Sequence, residues 1–121
     1  MAIQNTNADA DKKATVNIVD GIIKSVDPDP IKMGTNQNQI IEWSIASTDP
    51  DAKNYTFSNN GIEIKPGTDP GGQFTLRATG NAKKFRLHDK NSNKQRYGYT
   101  VNVMNGTTPL RPLDPIIGNG E

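Results

Sequence analysis

The chain reads as all-β, an immunoglobulin-like β-sandwich of about seven to nine strands. Three observations point there. Apolar and polar residues alternate in short runs such as "ATVNIV", "IIEWSIAS" and "YGYTVNV", the period of two expected of a half-buried strand. Turn-forming pairs recur between the runs at spacings of about eight to twelve residues, the rhythm of a two-sheet sandwich. No stretch of ten residues carries a 3.6-residue apolar period, so no helix is expected.

The elements follow in order. Residues 1–13 are polar and read as a flexible N-terminal tail. A sandwich domain is expected over 14–105, and an extended, Pro-rich C-terminal segment over 106–121. In "ATVNIV", Val16 and Ile18 share a face. Asp20-Gly21 then predicts a hairpin into "IIKSV", or a kink that lets one strand continue. After "DPDP", "IKMGTNQNQ" is a brief strand entering a polar turn. "QIIEWSIAS" is the clearest strand, with Ile41, Trp43 and Ile45 expected in the core. A buried Trp43 needs a partner for its indole N–H.

"TDPDAK" is a turn, and "NYTFS" presents Tyr55 and Phe57 on one face. Asn59-Asn60-Gly61 predicts a tight hairpin into "GIEIK", with Ile62 and Ile64 inward. Past the breakers of "PGTDPGG", "QFTLRAT" and "KFRLH" offer Phe74, Leu76, Phe85 and Leu87 to the core, joined by a turn at "GNAK". "DKNSNKQR" is a polar loop. In "YGYTVNVM", Tyr97, Tyr99, Val101 and Val103 align, and Asn105-Gly106 ends the strand. The segment "TTPLRPLDPIIGNGE" carries three prolines and one apolar pair, Ile116-Ile117. It is expected to lie along the domain or to contact a neighbour.

Composition narrows the function. At 121 residues a single domain is expected. The apolar content of 32% is low, but clustering in short runs argues for a folded domain with polar loops. With no cysteine, disulfides, zinc–thiolate sites, iron–sulfur clusters and thiol catalysis are excluded. No signal peptide is visible, and no apolar run approaches the ~20 residues that span a bilayer. A soluble cytoplasmic protein without membrane contact is the default expectation. Net charge is +1, which gives no bulk attraction to nucleic acid. The charge is uneven, however. Residues 77–96 hold seven basic residues against Asp89 alone, a local +6, while the rest holds seven against twelve acids, −5.

Five of the eight prolines directly follow an aspartate: Asp27-Pro28, Asp29-Pro30, Asp49-Pro50, Asp69-Pro70 and Asp114-Pro115. Asp accepts a bond from the backbone just ahead of it, Pro presets φ, and neither suits a strand interior, so turn chemistry explains the set. Calcium is the competing explanation. "ASTDPDAKNYTFS" resembles the Asp-x-Asp stretch of cadherin-type repeats, which makes Asp49, Asp51 and Asn54 ligand candidates. Convergence of a second loop would add Asp27 and Asp29. Calcium wants six to eight oxygens, and the remaining cadherin acids and an EF-hand loop are missing.

Catalysis finds little support. His88 is the lone histidine, and no Gly-x-Ser-x-Gly elbow accompanies it. A blue-copper site needs two histidines and a cysteine. No phosphate-binding glycine loop occurs. Glu42 and Glu63 look like outward strand positions with nothing to mark a cleft. No cofactor is expected. Lys83, Lys84, Arg86, Lys90, Lys94 and Arg96 form a candidate anion or partner surface. The alternative is a solvated face whose lysines guard an edge strand.

"VDPDPIKM", "IIEWSIAS", "YTFSNNGIEI", "YGYTVNV" and "LDPIIGN", in that order over about residues 15–119, resemble the DP-EP family of small bacterial proteins. The chain has no Glu-Pro dipeptide. The resemblance implies an immunoglobulin-like sandwich in a bacterium and implies no established activity. Taken together, the expectation is a non-enzymatic binding module for an unidentified protein partner, with a homodimer through edge strands or the C-terminal segment as one form of it. A calcium-dependent adhesion domain is the runner-up, and anion or nucleic-acid binding through the basic strand face follows.

Overall fold

The computed structural model describes residues 9–121. These form ten strands: β1 (Lys12–Val19), β2 (Ile22–Asp27), β3 (Ile31–Lys32), β4 (Gln39–Ser47), β5 (Tyr55–Ile64), β6 (Phe74–Arg77), β7 (Lys84–Asp89), β8 (Gln95–Asn105), β9 (Thr108–Pro109) and β10 (Ile116–Asn119). A single 3-10 turn, Ala52–Asn54, interrupts them. One sheet has the order β2-β1-β4-β7-β6 and the other β3-β10-β8-β5, with β9 also on β8. The fold is therefore a two-sheet β-sandwich. Among the described residues no helix is long and apolar enough to cross a membrane.

The expected N-terminal tail lies outside the described residues as far as residue 8. Lys12 and Lys13 already belong to β1, which runs parallel to β4 from Lys12↔Ile41 to Ile18↔Ser47. The Asp20-Gly21 hairpin forms as the sequence predicts. Both residues adopt positive φ, 54° and 71°, as the favoured two-residue hairpin turn requires. The "GNAK" turn likewise joins β6 to β7.

The core lies between the sheets. The first contributes Val16, Ile18, Ile41, Trp43, Phe85 and Leu87, and the second Tyr55, Ile62, Tyr99, Val101, Val103 and Ile117. Each such side chain stabilises the fold by ~1.5–3 kcal/mol when fully buried. Trp43 donates its indole N–H to the Tyr99 hydroxyl at 3.1 Å across the sheets, and the rings meet edge-on at 5.4 Å. Burial, ahead of every other influence, raises the Tyr99 phenol above its ordinary value.

Two expectations fail. Asn59-Asn60-Gly61 is no hairpin: β5 runs straight through it, and the ladder to β8 shifts register between Phe57 and Ile62. Gly61 serves there by lacking a side chain. A Cβ would stand 2.8 Å from both Phe57 Cβ and Phe85 Cδ2. Leu76 is not core but 61% exposed. Ile45 is only half-buried. Glu42 does face outward, yet it is 4% exposed, because Arg86 and Lys84 close over it.

The C-terminal segment is a structural strand in its own right. From β9 through β10 it stays antiparallel to β8, pairing Met104↔Pro109, Val101↔Leu113 and Tyr97↔Ile117. Val101 and Tyr99 donate to the carbonyls of Leu113 and Pro115. Pro115 thus faces β8 with the one backbone group it has, its carbonyl, and alternation turns Pro112 to the far side, where no β8 donor is required.

The sandwich has two distinct ends. The turn end carries Asp20-Gly21, the 3-10 turn and the β6–β7 turn. The opposite, sealed end carries Asp89, Asn91 and the residues that follow β10.

Candidate partner-binding edge

Most Asp-Pro aspartates are hydrogen-bond acceptors that tie loops together. Asp49 Oδ1 accepts from the Asp20 N–H at 2.9 Å, and Oδ2 accepts from the Gly21 N–H at 3.0 Å and the Tyr55 hydroxyl at 2.7 Å. The Gly21 bond, then Tyr55, then Asp20, hold its carboxyl below the usual range, and the same contact pushes the Tyr55 phenol up to about 12. Asp69 takes the N–H groups of Gln73 and Phe74. Asp29 takes that of Ile116, and Asp114 takes the Thr100 hydroxyl. Asp51 accepts from the Asn105 side chain at 2.9 Å.

The calcium candidates do not converge. Asp49, Asp51 and Asn54 share one turn, and the carboxylates of Asp49 and Asp51 already receive donors. Asp27 ends β2 and Asp29 follows it, roughly 20 Å away at ~3.3 Å per residue. Among the described residues no group of three or more His, Cys, Asp or Glu is placed to hold a metal.

The basic residues are likewise dispersed. Lys83 folds onto the carbonyls of Ala52, Lys53 and Tyr55, binding the β6–β7 turn to the 3-10 turn. Lys84 and Arg86 meet Glu42 at 3.4 and 2.8 Å. Arg96, on the other sheet, grips Glu121 through Nε and a terminal nitrogen at 2.7–3.1 Å. The side chain of Lys94 lies against Gly120. Lys90 makes no ion pair among the described residues.

What remains charged is the outer face of β6 and β7. Lys84 and Arg86 project there with His88, Arg77 lies beside Arg86 in register, and Lys90 follows. Four cations face one carboxylate, Glu42, an excess of +3. His88 sits among them, held below its ordinary value by burial first and then by Arg77 and Lys90.

β6 is the edge of its sheet, four residues long. Lys90 N–H donates to the Gln73 carbonyl at 2.8 Å. Alternation along an antiparallel pair then directs the backbone of Thr75 and Arg77 towards β7, and that of Phe74 and Leu76 outward. Phe74 N–H is taken by Asp69. The Leu76 N–H and C=O have no hydrogen-bond partner among the described residues. The Leu76 side chain borders a shallow groove of about 190 Å³ of mixed lining, formed by Phe57, Ala78, Ala82 and Phe85 together with Ser58, Asn59, Thr79, Arg77 and Lys84. Phe57 and Phe85 floor it, with ring centres 5.8 Å apart. The strand thus offers an amide–carbonyl pair with no partner among the described residues, a recess floored by two phenylalanines on one side and cations on the other.

Sequence reasoning placed Leu76 inward, and by face it is. It missed that the opposite sheet stops short of it. The buried polar group at the sealed end was also missed, although the alternation Phe85, Leu87, Asp89 signals an inward-facing acid. Comparison with protein-family models and with curated proteins finds no match.

Proposed function

We propose that this chain is a non-enzymatic protein-interaction module that receives an extended segment of a partner at the β6 edge. One observation carries the reading: Leu76, 61% exposed, lies on an edge strand whose outward amide and carbonyl have no partner among the described residues, beside a groove floored by Phe57 and Phe85 and rimmed by polar side chains. Edges of this kind accept an added strand, with main-chain bonds supplying affinity and side-chain pockets supplying selectivity. Of the three large apolar residues that are exposed among the described residues, Val19 and Ile22 flank the β1–β2 turn, and Leu76 borders the groove described above. We read the sandwich as immunoglobulin-like and the chain as akin to the DP-EP family on the sequence resemblance.

Selection of random peptides on the immobilised protein, followed by amide hydrogen exchange of the complexes, tests the proposal. Selected binders are expected to slow exchange at Leu76 and to lose affinity on Leu76→Lys. Binders that leave Leu76 unprotected and tolerate that substitution would remove the edge from consideration.

A further inference from the structure

Strand addition at β6 dictates more than a location. An added strand pairs its backbone with the Leu76 N–H and C=O, so one ligand residue stands directly opposite Leu76. Side chains alternate between faces along a strand. The residue opposite Leu76 therefore projects on the side of the groove, where an aliphatic side chain replaces water against Leu76 and the Phe57–Phe85 floor. Its two neighbours project to the other face, beside Thr75 and Arg77. That face holds Arg77, Lys84, Arg86 and Lys90 against Glu42 alone. Glu42 is engaged by Arg86 and Lys84, while Arg77 and Lys90 form no ion pair among the described residues. An acidic side chain placed there meets unspent positive charge, and a basic one meets repulsion.

From this complementarity we infer that the edge selects a partner segment centred on an acidic–apolar–acidic triplet, such as Glu-Val-Glu. The triplet is symmetric, so it serves a parallel or an antiparallel approach alike. The inference rests on the edge reading above and adds the chemistry of the occupant.

Three nine-residue peptides with neutral polar flanks separate the outcomes: one centred on Glu-Val-Glu, one on Lys-Val-Lys, and the first with its central amide N-methylated. Titration into ¹⁵N-labelled protein is read at the Leu76 and Arg77 amides. The acidic peptide is expected to bind about fivefold tighter than the basic one, as one favourable cross-strand charge pair, with Arg77, gives way to an unfavourable one. N-methylation should abolish binding of an antiparallel strand, whose central amide donates to the Leu76 carbonyl, and Arg77→Glu, at an exposed position, should erase most of the acidic preference. Equal binding of acidic and basic peptides would overturn the charge inference and leave the edge reading standing. Failure of all three, with selected peptides mapping elsewhere, would overturn both. If sedimentation shows the peptide-free protein self-associating, and Leu76→Lys abolishes this, the occupant is a second copy and the inference fails.

Discussion

At the turn end of the sandwich Asp49 collects three donors at the surface. At the sealed end Asp89 collects two in the interior, and the two carboxyls are shifted in opposite directions. Asp89 and Asn119 are both 0% exposed. Asp89 Oδ1 accepts from the Asn91 N–H at 2.8 Å and from Asn119 Nδ2 at 3.1 Å, while Asp89 Oδ2 and Asn119 Oδ1 have no partner. Burial drives the Asp89 carboxyl above its ordinary value, and the bonds from Asn91 and Asn119 only moderate that. Around it, Asn91 caps the Gly34 and Asn36 carbonyls, and its Oδ1 receives the Gly120 N–H. Tyr97 accepts from Asn93 at 2.5 Å. One end is thus held by a solvated anion over a loop, the other by a desolvated polar cluster that fixes the C-terminal strand. The same residue type serves both, and the balance of donors against desolvation decides which charge state it favours.

The largest expected effect breaks the sealed end. Asp89→Ala strips the acceptor from two buried donors, each costing ~1–3 kcal/mol when left unpaired. Urea denaturation should show a loss of about 2–6 kcal/mol. A loss below about 1 kcal/mol would mean that water reaches the cluster.

Next comes the apolar seal of the turn end. Gly61→Ala forces a methyl against Phe57 and Phe85, an overpacking that should cost about 1–3 kcal/mol. Wild-type stability in the variant would show that the bulge yields freely. Asp49→Asn keeps an oxygen acceptor and removes the charge, so its fall in Tm should be smaller than that of either variant above. Faster exchange at the Asp20 and Gly21 amides would place the change locally.

The finest test is pH. Asp49 is held below its ordinary value, so its contribution is present above the unfolded value of ~3.9 and fades as pH falls through the folded one. Asp89 is held above its ordinary value. Its neutral form is the one the fold favours, so its contribution is full below ~3.9 and fades as pH rises through the folded value. Acidification should therefore loosen the Asp20 and Gly21 amides while tightening those of Asn91 and Gly120. Parallel changes at both ends, followed by hydrogen exchange, would contradict the contrast.

Much of the fold was legible from local chemistry. Alternation located β1, β4, β7 and β8. Asp20-Gly21 set its hairpin, because that turn demands two left-handed residues in a row and Gly with Asp supplies them. Asn59-Gly61 misled for an instructive reason: the same glycine that permits positive φ also permits close approach, and only the packed aromatic pair shows which property is used. The prolines of the C-terminal segment suggested an extended stretch that lies along the domain or contacts a neighbour, and did not show that it pairs with β8. They are tolerated because β8 needs carbonyls at Leu113 and Pro115, and a proline supplies a carbonyl.

The sequence by itself determined period, turns and composition, and with them an all-β chain without thiol chemistry. Those are properties of residues and their near neighbours. Tertiary structure decided where each charge was spent: Glu42 on Arg86, Lys83 on three carbonyls, Arg96 on Glu121. It also decided that β6 lies at an edge with Leu76 uncovered, and that Asp89 is sealed in beside Asn119. Pairings across 25 to 44 positions, and the point at which one sheet stops covering the other, depend on the packing of whole strands. No local pattern encodes them.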